Sequence, residues 1–212
     1  MTKENSMKKL FALIAFAASL SFAVSAPFTH DGFFFSVTSG LGYGTFNDDI
    51  DDGFAQIESN GLQAEASIKI GGAIVNGLII HATFAMNQLY PDLEATSKTG
   101  RDDRLSHDGF DILFMGGGAT FYIPGGSNVF LGASAGVTTY SVTFGNQSAE
   151  FMNLDSGFGV IATIGKEWWI HEELGLGIAF SYTYTSAEGE YDNEKNEATT
   201  NMFSLSVTFT FN

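Results

Sequence analysis

The chain has 212 residues, a formal net charge of −15, no Cys, and 25 Gly and 21 Phe against only 3 Pro. That length accommodates one domain, and the missing thiols exclude a disulfide scaffold and thiolate metal sites. The Gly and aromatic content with scarce Pro suits a β-protein with close backbone approaches.

Residues 1–26 differ from the rest. Lys3, Lys8 and Lys9 make a basic start, residues 10–24 are almost wholly apolar, and Ser21, Ala23, Ser25 and Ala26 supply small residues for a cut after Ala23 or Ala26. These are the three regions of a secretory signal peptide. The apolar run of 15 residues is short for a spanning helix, which needs roughly 20. Residues 27–212 then form one domain. Without residues 1–26 the chain loses three Lys and one Glu, leaving six basic and 23 acidic residues, a net −17. Such a surface repels nucleic acid and favours cations or divalent-bridged lipopolysaccharide.

From residue 35 onward the hydrophobic period is two. The spacing predicts eight strands: 35–46, 62–70, 78–87, 110–122, 129–140, 158–168, 174–184 and 203–211. The last is the plainest, with Phe203, Leu205, Val207, Phe209 and Phe211 on one face and Ser204, Ser206, Thr208 and Thr210 on the other. The polar faces are mostly Gly, Ser, Thr and Ala. Large apolar residues outside and small polar ones inside are the signature of a transmembrane barrel. A soluble lipocalin-like barrel would reverse the faces, yet residues 174–185 and 199–212 carry no charge at all. The fourth strand is the weakest case, because both its faces are apolar. Its expected outward set is Ile112, Phe114 and Tyr122.

The expected connections alternate in length. Residues 47–60, 88–108, 142–155 and 186–199 read as long loops; the turns at 75–77, 123–128 and 170–173 are short, the first carrying the hairpin pair Asn76-Gly77. Short periplasmic turns and long outer loops characterise outer-membrane barrels. The aromatics fall into two girdles on this reading: Phe35, Tyr122, Trp168 and Phe211 at the periplasmic interface, and Tyr43, Phe158, Tyr184 and Phe203 at the outer one.

The pattern resembles the small eight-stranded outer-membrane barrels, the OmpA-type and OmpX-like group. The last strand, 203–212, carries most of the resemblance, with Phe211 followed by Asn212. The stretch 165–170 with 174–177 is similar to a hairpin of uncharacterised members. The resemblance implies an all-β, antiparallel, up-and-down barrel, read by the barrel insertion machinery through its terminal aromatic. The second, peptidoglycan-binding domain that OmpA-type proteins carry is not expected here, since this sequence stops at the strand.

Five ionisable residues are expected inside: Glu65, Lys69, His81, Asp111 and Glu167. They read as a polar network filling a narrow barrel, with a passive channel or carrier for small molecules, hydrophobic ones included, as the alternative. Phe34, Phe46, Phe121, Phe130 and Tyr140 are expected to occupy the room left by inward glycines. Asp48, Asp49, Asp51 and Asp52 are weak divalent ligands, but Asp52 stands where a true calcium loop needs Gly. Ser106-His107-Asp108 is the local cluster for a lipid A-modifying enzyme, and adjacent residues seldom reach triad geometry. The expectation is a non-enzymatic, monomeric barrel in contact with outer-membrane lipid and lipopolysaccharide. It would hold no cofactor and present acidic loops to an unidentified outer ligand.

Overall fold

Alternation builds strands, and β1 (Phe33–Ile50), β2 (Ala55–Val75), β3 (Leu78–Ser97), β4 (Gly109–Tyr122), β5 (Val129–Phe144), β6 (Gln147–Glu150), β7 (Gly157–His171), β8 (Leu174–Tyr191) and β9 (Glu194–Phe211) follow one another along the chain. The computed structural model describes residues 28–50, 55–97, 109–144, 147–150, 156–191 and 194–212. The expected leader, 1–26, lies outside them.

All pairings are antiparallel, and each barrel strand pairs with the next. Pairing of β1 with β9 closes the ring. Eight strands therefore make the barrel, and the four-residue β6 extends only the outer end of β5. Closure leaves no unpaired edge, the condition for a sheet in lipid.

The registers fix the barrel's shape. Stepping from neighbour to neighbour, Phe35 leads to Ile70, Ala82, Gly117, Ala135, Val160, Tyr184, Asn201 and back to β1 at Thr45, ten residues further on. With eight strands this stagger requires a tilt of about 41° and a backbone radius of about 8 Å. A cylinder that narrow is filled by its own side chains.

The outward face is apolar and bare: Leu41 is 72 % exposed, Leu62 71 % and Leu205 66 %. No described helix is long and apolar enough to cross a membrane. An apolar outward face of this kind is what lipid-facing barrel strands carry.

Two expectations change. The outer segments are longer strands and shorter loops. β1 and β2 stay paired from Asn47↔Glu58 to Ile50↔Ala55, β2 and β3 to Ala55↔Ser97, and β8 and β9 to Tyr191↔Glu194. These segments lose the apolar/polar alternation because water bathes both faces. Their backbone groups still find partners in the adjacent strand.

The faces of β4 are also the reverse of the expectation. Ile112, Phe114 and Tyr122 are buried inside, while Leu113, Met115 and Phe121 are exposed outside. Asp111 shares the outward face, so it is not a lumen residue, and Phe121 is not a filler. Paired residues share a face, and Phe84↔Met115↔Val137 is a row of outward side chains. With apolar residues on both faces, β4 takes its orientation from β3 and β5.

Candidate functional site: the filled lumen and its periplasmic lid

Side chains are stacked in layers along the barrel. At the end that carries the short turns, the expected periplasmic end, lie Phe34, Ile79, Tyr122, Phe130 and Ala179. A polar chamber follows. Above it come Ala85, Phe114 and Ile161, then Ile112, Tyr140, Ala187 and Met202. Phe46, Leu89, Phe110 and Ala198 cap the outer end, with the Phe46 and Phe110 rings stacked at 4.8 Å.

The structure places Glu65, Lys69, His81 and Glu167 in or beside the chamber, all buried. Glu65 Oε2 accepts hydrogen bonds from Ser204 and Ser206 of β9. Glu167 accepts from Thr210 at 2.7 Å and from the Tyr122 hydroxyl at 3.1 Å. Thr210 also lies 3.2 Å from Ser36, which is 3.1 Å from Thr208. His81 sits between the Thr83 and Thr120 hydroxyls, 3.0 Å from each, and Thr83 contacts Ser134 at 2.9 Å. A neutral imidazole has one donor and one acceptor, and hydroxyls can answer either. Lys69 lines the same small cavity as Glu65 and Glu167.

Glycines make these reaches possible. A Cβ on Gly177 would stand 2.7 Å from Glu167 Cγ, and one on Gly118 2.8 Å from His81 Cε1. One on Gly165 would overlap the Phe130 ring. The inward glycines are thus seats for long side chains of the neighbouring strands. Among the described residues, the polar chamber encloses a cavity of about 10 Å³, room for one water centre at most.

A lid closes the periplasmic end. The Phe28 N–H donates to Glu172 O at 2.8 Å, the Gly77 N–H to His30 O at 3.0 Å, and the Ala73 N–H to Gly32 O at 2.8 Å. The His30 ring is stacked between Tyr122, at 3.3 Å and 10°, and Trp169, at 4.7 Å. Burial lowers its pKa, against the opposing pull of Asn212, Asn128 and Asp31. Gly77, at φ 83°, makes the turn against which the lid rests.

Of the expected girdle residues, Phe35, Tyr43, Trp168, Tyr184 and Phe211 fall on outward positions of their strands. Tyr43 donates to Asn60 at 2.6 Å, and Lys166 Nζ lies 5.7 Å from the Trp168 ring. Tyr122 is the exception: it is 4 % exposed and belongs to the lumen. Tyr182, which donates to Asn201 at 2.7 Å, was not among the expected girdle members.

The side chains of Asp48 and Asp49, and all of Asp51, Asp52, Ser106, His107 and Asp108, lie outside the described residues. Among the described residues no group of three His, Cys, Asp or Glu is placed to hold a metal ion. The β9 hydroxyls that complete the network were visible in the sequence only as a polar face. The reach of Glu65 and Glu167 onto them is a product of register.

No protein-family model and no curated relative matches the sequence. Solved structures do match. Neisserial surface protein A is 17 % identical, aligned over 84 % of this chain and 96 % of that one, with a TM-score of 0.50. The outer membrane protein OprG from Pseudomonas aeruginosa is 15 % identical over 87 % of this chain and 99 % of that one, with a TM-score of 0.52. The fold is that of the small eight-stranded outer-membrane barrels. An outer-membrane barrel of this kind has its apolar exterior in lipid, and its polar chamber is enclosed by the strands.

Proposed function

We propose that the chain is a non-enzymatic, monomeric outer-membrane barrel whose role is structural and lies at the cell surface. It would present largely acidic loops to an outer ligand while contacting lipid and lipopolysaccharide. The observation that carries this reading is the filled lumen. Among the described residues, five successive layers of side chains fill the barrel and the polar layer holds a cavity of about 10 Å³, which supports a closed lumen. Transport through the barrel, the alternative function, would require those layers to move apart.

Planar-bilayer recording tests the proposal. The refolded barrel and its Lys69→Ala variant are both expected to give no conductance steps. Stable ohmic steps in the wild type would replace the surface reading with the channel reading.

A further inference from the structure

Residues 28–32 cross the periplasmic mouth before β1 becomes part of the wall. Three backbone hydrogen bonds tie them to the turns before β3 and β8 and to the end of β2. At their centre is His30, 5 % exposed, its ring filling the slot between Tyr122 and Trp169. Neither ring nitrogen makes a well-formed hydrogen bond, although the Asn212 and Asn128 side chains stand near enough to favour a charged ring. Behind His30 stands Tyr122, and behind Tyr122 the Glu167 carboxylate, the periplasmic end of the polar network.

We propose that residues 28–32 form a latch over Glu167, seated while His30 is neutral and released when His30 is protonated.

The slot suits a flat neutral ring. An imidazolium brings a second N–H donor and a charge into this buried slot, where Asn212 and Asn128 favour it but offset only part of the cost of burying the charge. The groups facing the ring are Asp31 on its own segment, Tyr122 of β4 with Glu167 of β7 behind it, and Trp169 of β7. Asn128 of the β4–β5 turn and Asn212 after β9 complete the set. Asn212, Asn128 and Asp31 favour the charge, and the two aromatic faces add cation–π attraction. Burial outweighs them, holding the seated ring below the ordinary value of 6.5. A freed ring takes its proton near 6.5 and the seated one only at lower pH. Seating is therefore unaffected above that value. Below it, seating weakens by up to about tenfold per pH unit until the seated ring also protonates.

Amide hydrogen exchange of the full folded barrel in detergent micelles tests the latch. The Gly77 N–H, which donates to His30 O, is the reporter. The Thr83 N–H in the middle of β3 is the control. Rates are corrected for the intrinsic effect of pH. Between pH 7.5 and 5.0 the protection of Gly77 is expected to fall about tenfold. That of Thr83 should stay constant, and His30→Phe, which keeps a flat ring, should abolish the fall. Gly77 protection that ignores pH, or falls equally in His30→Phe, overturns the proposal. A measurement that needs no variant is NMR titration of the His30 ring. A midpoint below 6.5 is required, and one at or above 6.5 overturns the latch.

Discussion

Glu65 on β2 bonds to Ser204 and Ser206 on β9, with β1 lying between the two strands. The carboxylate crosses β1 because Gly40 and Gly42 stand where inward side chains would block it. A Cβ at Gly40 would overlap Ser206 Oγ, and one at Gly42 would overlap the Phe203 carbonyl. A charge on one strand, two missing side chains on the next and two hydroxyls on a third form a single unit.

Adding side chains to that passage should be destabilising. Gly42→Val is expected to lower unfolding free energy by about 2 kcal/mol, in the range of overpacked cores. Urea titration of the barrel in lipid vesicles measures it. A variant as stable as the parent would show that the passage is roomier than its geometry.

Removing the charge tests the same unit from the other side. Glu65→Gln weakens two charge-assisted hydrogen bonds and leaves Lys69 short of a counter-charge, at a cost of about 2 kcal/mol. Lys69→Met is expected to cost less in the Glu65→Gln background than in the wild type. A double-mutant cycle measures this coupling, and strict additivity would contradict it.

Gly165 and Phe130 offer a compensation experiment. Gly165→Ala drives a methyl into the Phe130 ring and should cost about 1–3 kcal/mol. In a Phe130→Leu background the same substitution should cost clearly less. Equal penalties in both backgrounds would mean that the ring is not what Gly165 accommodates.

The orientation of β4 is directly measurable. Nitroxide labels at positions 113 and 115 should be accessible to oxygen dissolved in the bilayer. Labels at 112 and 114 should be shielded, or should prevent folding. Accessibility at 112 with shielding at 113 would return β4 to the orientation its sequence first suggests.

The strands and their order were legible because lipid outside and a tight lumen inside impose opposite demands on alternate residues. β9 shows this at every position from Phe203 to Phe211. β4 was not legible for the same reason stated in reverse. Ile112 and Leu113 are equally apolar, and its three consecutive glycines, 116–118, carry no preference. Only pairing with Phe84 and Val137 decides. Tyr122 was misplaced with its strand, since an amphipathic ring suits a membrane interface and a polar lumen alike. Lys69 and His81 followed from alternation alone. Their partners depend on a stagger of ten residues around the ring, which no local pattern encodes.

The long outer strands have a mechanical consequence. β1 continues seven residues past Tyr43 to Ile50, which pairs with Ala55 of β2, a rise of about 17 Å at this tilt. The described ends of the acidic segment, residues 47–50 and 55–58, stand paired at the top of the barrel wall. Height and reach are then set by strand length. Trimming register partners in twos, such as Asn47 and Asp48 with Ile57 and Glu58, would lower the tip by about 5 Å and leave every remaining side chain on its face.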